Sequence, residues 1–263
     1  MNQSKHIGLG FVSFLIFLFL LGPLVIISVA SFEPSTVLQF PPSGFSVEWY
    51  ANIFAVSAFM DTFKLSMLVS LLGNLCALLL GIPAAYAVSR YEFPGKAFLN
   101  VLFVSPILIP GTVLGFTFLR YLIVAYQLPL EVALFVGHTI LMLPFIIRVI
   151  ASSMATFDFS IEEAAMSLGA SRLGAFFKVI LPNIKSGIIA AVLIAFLESF
   201  NNVDISVFLT GPGLSTLPIQ MLTYVEHYFD PTVAAISVML MALTAILMFA
   251  IERLVGLSYF TKR

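Results

Sequence analysis

Residues 158–182 read DFSIEEAAMSLGASRLGAFFKVILP, a stretch that lies between two long apolar runs. The pattern predicts two short amphipathic helices. Ser160 stands at a helix start with Glu163 three positions on, the spacing of a capping box. Gly169 permits a break and a change of direction. Beyond it, Leu173, Phe176, Phe177 and Ile180 recur at three- and four-residue spacing, so the second helix is expected to carry one apolar face. Pro182 is expected to stop that helix where the next apolar run begins.

The flanking runs set the class of fold. A transmembrane helix needs roughly 17–25 mostly apolar residues. Six stretches meet that need: Ile7–Phe32, Thr62–Val88, Ala97–Leu119, Val132–Met154, Ser186–Leu209 and Thr232–Leu254. The runs are continuous rather than alternating, which excludes an outer-membrane barrel. Composition agrees: the 263 residues are 60% hydrophobic and 10% charged, with a mean hydropathy of +1.09. A soluble domain carries about 25% charged residues. The reading is an all-α polytopic membrane protein forming one transmembrane domain over residues 1–263, with residues 158–182 as a loop within it. Cys76, the single cysteine, rules out an internal disulfide framework or thiolate cluster, and the net charge of -1 offers no basis for nucleic-acid binding.

Orientation follows from Lys and Arg. With the N-terminus inside, Lys5, Arg90, Lys96, Arg148, Arg172, Lys178, Lys185, Arg253, Lys262 and Arg263 fall on the cytoplasmic side, leaving Lys64 and Arg120 on the other. Both termini are expected in the cytoplasm. Ser28-Val29-Ala30 has the small residues of a signal-peptidase site, but the apolar run before it exceeds a secretory core of about 7–15 residues, so the segment reads as a signal anchor. In the first outer connection, Trp49 and Tyr50 read as interfacial anchors. The last outer connection, Thr210–Pro231, contains Glu226, His227 and Asp230 but no Lys or Arg. That balance suits a cationic solute and is equally what positive-inside sorting produces.

Glu163-Ala164-Ala165, Gly169 after three residues, and Val179 and Leu181-Pro182 beyond nine more resemble the EAA loop of binding-protein-dependent ABC importer permeases. Val179 stands where Ile is commoner. The resemblance extends to the six spans with this loop before the fifth, and it implies the type I importer permease fold in a bacterial inner membrane. It further implies that the loop docks on a separate ATPase subunit, with Glu163, Ala164, Ala165 and Gly169 at the contact and turn and Leu181 and Pro182 at the exit. The implied assembly has a second homologous permease, two ATPase copies and an extracytoplasmic solute-binding protein. ATP and Mg would be held by the ATPase and no cofactor by this chain. Phe40–Ser46 with Trp49-Tyr50, Ser199–Val203 and Leu209–Gly213 resemble the spermidine/putrescine group. Phosphonate, ferric iron and opine permeases share some of these features. Polyamine permeases often carry an acidic residue near Asn201 and Asn202, where this chain has amides.

Polar residues inside the runs complete the reading. Glu198, Asn201, Asn202 and Asp204 fall along the expected fifth span, with Glu198 three and four residues from the two amides and so on their face. A central acidic residue costs about 2.5–3.5 kcal/mol on insertion scales and must face protein or water. Either the four line a solute path or they form a helix–helix hydrogen-bond cluster. Pro106, Pro110, Gly111 and Gly115 loosen the third span, and His138 reads as a hydrogen-bonded buried residue. No phosphate-binding loop occurs, since Gly95-Lys96 is followed by Ala97, and no His-Glu-x-x-His occurs either. ATP hydrolysis is therefore expected on another polypeptide, and a transport subunit rather than an enzyme. A stand-alone channel or gradient-driven transporter is the rival reading.

Overall fold

The computed structural model describes residues 3–255. Lys262 and Arg263, and the side chain of Lys5, lie outside the described residues. Among the described residues, four unbroken helices are long and apolar enough to cross a membrane, and two bent pairs bring the number to six if each is one span. The chain forms two compact units, residues 1–61 with 220–263, and residues 62–219.

In the first unit, α1 (Gln3–Ala30) is mostly exposed apolar surface from Val12 to Val29. After it the chain turns back on Glu33, which is fully buried. Its carboxylate accepts hydrogen bonds from the backbone N–H of Ser35 (2.9 Å) and Ser43 (2.6 Å), the Ser43 hydroxyl (2.6 Å) and Gln39 Nε2 (3.2 Å). Trp49, at the start of α2 (Glu48–Ala55), donates from Nε1 to the Glu33 carbonyl at 2.6 Å. Trp49 is therefore a buried clamp rather than the interfacial anchor its position predicts. Tyr50 likewise turns inward, its hydroxyl 2.7 Å from Ser31 Oγ.

Burial alone would raise the Glu33 pKa, but the Ser43 and Ser35 hydrogen bonds outweigh it and lower the pKa from 4.5 to about 2. A depressed carboxylate pKa contributes stability that is present above the unfolded value and lost as pH falls through the folded one. Trp49 is the single tryptophan and reports on this loop directly. Its fluorescence is expected to change on acidification from about pH 4.5 toward 2, and Glu33→Gln is expected to show the changed signal already at neutral pH. A flat acid titration in the unaltered protein would exclude this role for Glu33.

The second unit contains α3 from Thr62 onward (the helix runs Ser57–Arg90), α4 (Lys96–Leu108), α5 (Gly111–Phe118), a π-helical stretch Leu119–Ala125 and α6 (Leu130–Ala155). Helix α6 is its centre, burying Met142, Ile146, Ile147, Ile150 and Met154 against Ala77 and Ala85 of α3. Small residues let the backbones approach closely. A Cβ on Gly73 would lie 2.5 Å from Met142 Cε, and one on Gly81 2.6 Å from Ile146 Cγ2.

Two spans depart from the continuous helices that hydropathy predicts. The third breaks between α4 and α5 with a 99° bend. Pro110 disfavours helical geometry at the residue before it, and Ile109 is extended at φ −87°, ψ 134°. The fifth is a bent pair as well. Its loop side is built from α7 (Ser160–Ser167), α8 (Arg172–Ala175), a π-helical stretch Phe176–Ile180 and α9 (Leu181–Asn183). A 72° bend at Ile184, two residues beyond the Pro182 stop predicted from sequence, leads into α10 (Lys185–Phe200). Helix α10 ends at Phe200 rather than continuing to Leu209, and the chain then makes a turn and a 3-10 segment, Ser206–Phe208. Two further helices are α11 (Leu217–His227), within which the division between units falls, and α12 (Thr232–Val255) of the first unit. There Asp230 accepts from the Thr232 N–H at 2.9 Å, satisfying a free donor at the start of α12.

Candidate functional site

The loop between α6 and α10 is seated on the end of α3. Arg90, the last residue of α3, holds two carboxylates: its Nε donates to Glu162 at 3.0 Å and its Nη2 to Glu163 at 2.7 Å. The Tyr86 hydroxyl, one turn earlier, donates to the other Glu162 oxygen. The Tyr86 ring also meets Phe176 with centroids 5.2 Å apart, and the Arg90 guanidinium lies 5.2 Å from the Phe159 ring centroid. Glu162 retains 2% of its side-chain exposure whereas Glu163 retains 61%. The buried member of the Glu162-Glu163 pair is thus the anchor, and the motif residue Glu163 is the exposed one. Arg90 and Glu162 are 72 residues apart, and no local spacing connects them.

The predicted capping box does not form. Asp158, not Ser160, caps this turn, accepting the Ser160 N–H at 2.9 Å, and that bond holds the Asp158 carboxyl below its ordinary range. Glu163 is drawn to Arg90 instead of reaching back to the helix start. Gly169 behaves as predicted, with φ +95°. The Gly169 N–H bonds to the Met166 carbonyl (3.0 Å) and the Ala170 N–H to the Ala165 carbonyl (3.1 Å), the paired closure of a Schellman turn. Ser171 then accepts the Gly174 N–H at 3.1 Å and opens α8.

Past α8 the π-helical stretch distributes the apolar residues over two faces, correcting the single stripe expected from their spacing. Ile180 is fully buried and Phe176 half-buried, while Leu173 and Phe177 are exposed. Leu168, in the Gly169 turn, is 90% exposed as well. Ala164 and Pro182 are exposed, and Ala165 and Leu181 half-buried, with Leu181 against the α6 core.

The second constellation lies at the other end of α10. Glu198 occupies its last turn and is exposed, Asn201 caps the helix, and Asn202 and Asp204 lie beyond it. The four therefore share a turn rather than one helix face at mid-span. Asn202 causes the break: its Oδ1 accepts the Ile205 N–H (2.9 Å) and its carbonyl accepts the Ser206 hydroxyl (2.7 Å), bonds that compete with helix continuation. With Leu197 and Val203 the four residues line an open pocket of about 380 Å³. Asp204 rests on the other broken span. A Cβ on Gly111 would lie 2.7 Å from Asp204 Cβ, and one on Gly115 2.8 Å from its carbonyl oxygen. The two breaks thus meet at one polar turn. The neighbouring His138 is buried and hydrogen-bonded, as its sequence context predicts.

These features define a polytopic helical membrane protein with a seated helical loop and two interrupted spans that converge on a polar turn. The chain belongs to the binding-protein-dependent transport system inner membrane component family, whose model matches residues 77–257. It is the permease component of an ABC importer, a multi-pass protein of the bacterial inner membrane. Among its relatives is the putrescine transport system permease protein PotI of Escherichia coli K12, 29% identical over 240 residues, covering 89% of this chain and 85% of the relative. The spermidine/putrescine permease PotC of the same strain is 28% identical over 236 residues, 89% of each. The putative 2-aminoethylphosphonate permease PhnV of Salmonella paratyphi A is 27% identical, covering 92% and 91%. A solved bacterial ABC transporter involved in alginate import has the same fold, with a TM-score of 0.71, 17% identity and 96% coverage of both chains.

Proposed function

We propose that this chain lines the path of a small organic cation, a polyamine of the spermidine or putrescine kind. Its partners in this reading are a second homologous permease, two copies of an ABC ATPase that hold ATP and Mg, and an extracytoplasmic solute-binding protein. Both termini face the cytoplasm. The 158–182 loop docks on the ATPase through its outward apolar residues, with Glu163, Ala164, Ala165 and Gly169 forming the contact and turn and Leu181 and Pro182 the exit.

The observation that carries the solute class is the open polar turn. Glu198 and Asp204 line it with two amides, and no Lys or Arg is among the lining residues. A pocket walled by one sign of charge concentrates the opposite ion. Kinship to PotI and PotC supports the same class. Kinship to PhnV raises a second solute, a phosphonate, whose anionic group would meet like charge here. The test is uptake by the reconstituted complex carrying Glu198→Gln. Polyamine uptake is expected to fall about tenfold, the scale of one lost charge-assisted contact, with assembly and receptor affinity unchanged. Unchanged uptake kinetics would remove Glu198 from the path, and binding of an anionic phosphonate by the cognate receptor would overturn the solute class.

A further inference from the structure

The polar turn is held from behind by one side chain. His138 on α6 is 1% exposed, and its two ring nitrogens reach either side of the α10 break. Nδ1 lies 2.8 Å from Ser199 Oγ in the last turn of the helix, and Nε2 lies 3.1 Å from Ser206 Oγ beyond it. Ser199 Oγ is in turn 3.1 Å from Ser70 Oγ on α3. Ser70, Ser199 and Ser206 are all buried.

Counting protons gives this chain a direction. The Ser206 hydroxyl donates its one proton to the Asn202 carbonyl, which only accepts. Ser206 Oγ therefore accepts from the ring, and Nε2 carries a proton. No carboxylate is among the ring's hydrogen-bond partners, so the imidazole is neutral and Nδ1 is bare. Ser199 then donates to Nδ1, and its oxygen is left to accept from Ser70. The order is Ser70 to Ser199 to His138 to Ser206 to Asn202, with each donor used once.

We propose that His138, as the Nε2–H tautomer, is a positioning residue for solute transport: it staples the two sides of the α10 break and so fixes the turn that presents Asn201 and Asp204 to the pocket. This rests on the reading of that turn as path lining. The leg that matters most is Nε2 to Ser206, because it reaches the segment after the break, where the helix no longer constrains the backbone.

The two amide substitutions separate the legs. A glutamine places its donor near the Nε2 position and an asparagine places its acceptor near Nδ1. In proteoliposomes of the full complex, His138→Gln is expected to keep most polyamine uptake, whereas His138→Asn and Ser206→Ala are expected to lose about tenfold or more, the scale of a misplaced contact residue. Receptor-stimulated ATP hydrolysis is expected to persist in all three. Equal uptake by His138→Asn and the unaltered complex would overturn the proposal. A second measurement needs no variant to transport. The sequence has three histidines, so the His138 ¹⁵N resonances in the labelled complex are assigned by their absence from His138→Gln. A protonated Nε2 with bare Nδ1 supports the staple, and a protonated Nδ1 overturns it. If the tautomer is as stated and Glu198→Gln and Asp204→Asn both transport normally, the path reading is what fails.

Discussion

Gly169→Val is expected to abolish solute uptake while the chain still inserts and folds its spans. Gly169 adopts φ +95°, and nothing lies within 4 Å of the place where a Cβ would sit, so the effect comes from the backbone and not from a clash. A left-handed L-residue costs about 1–2 kcal/mol, and a β-branched one is the least tolerant. The strain falls on the Schellman turn that ends α7 and leads into α8, which carries the exposed Leu173, with Phe177 just beyond it. Either ATPase docking is lost, or hydrolysis continues without responding to the loaded receptor. Gly169→Asn should remain near the unaltered protein, because Asn tolerates this conformation, with Gly169→Ala between the two. Paired uptake and receptor-stimulated ATPase measurements on one proteoliposome preparation check the series. Normal values for both in Gly169→Val would mean that the loop is not the coupling element.

Arg90→Ala should be the most damaging single change at the seat of that loop. It leaves the Glu162 carboxylate, 2% exposed, with the Tyr86 hydroxyl as its one remaining hydrogen-bond partner among the described residues. Breaking a buried pair by removing one member costs about 3 kcal/mol or more. Arg90→Lys should recover part of this, because a point charge does not bridge two carboxylates as a guanidinium fork does. Glu163→Ala should cost about 1 kcal/mol or less, since that carboxylate is 61% exposed. The informative variant is the double change Arg90→Ala with Glu162→Leu, which removes both charges and should restore much of what Arg90→Ala loses. Protease sensitivity of the loop and uptake are the readouts. If Arg90→Ala proves as mild as Glu163→Ala, the Arg90–Glu162 pair does not anchor the loop.

The two helices of the 158–182 loop and the turn between them were legible in the sequence, because Ser160, Gly169 and Pro182 act on residues within a turn or two of themselves. Glu162 was not legible beside them. A carboxylate next to the motif reads as one more exposed charge until Arg90 and Tyr86 arrive from a helix 72–76 residues away. Trp49 misled for the same reason, since an aromatic pair near a span end predicts an interfacial anchor until the Glu33 carbonyl is placed within reach of its indole. The Ser160 capping box failed because Glu163 had a stronger partner in Arg90 and Asp158 supplied the cap.

Local order was the sequence's own contribution: which runs are apolar and long enough to span, the change of direction at Gly169 and the loosening of the third span around Pro110. These depend on residues within a turn or two of each other, where hydropathy and backbone sterics act directly. Tertiary structure alone decided where the spans stop being helices and what the polar residues face. Glu198, Asn201, Asn202 and Asp204 fit a continuous helix on periodicity. They form a turn because the Asn202 side chain caps the Ile205 N–H, Gly111 and Gly115 leave room for Asp204, and His138 holds Ser199 and Ser206 on either side of the break. The Asn202 bond is local, but the Gly111, Gly115 and His138 contacts join segments far apart in the chain. In a membrane interior the unpaired backbone groups at such a break are tolerated only where protein or water meets them.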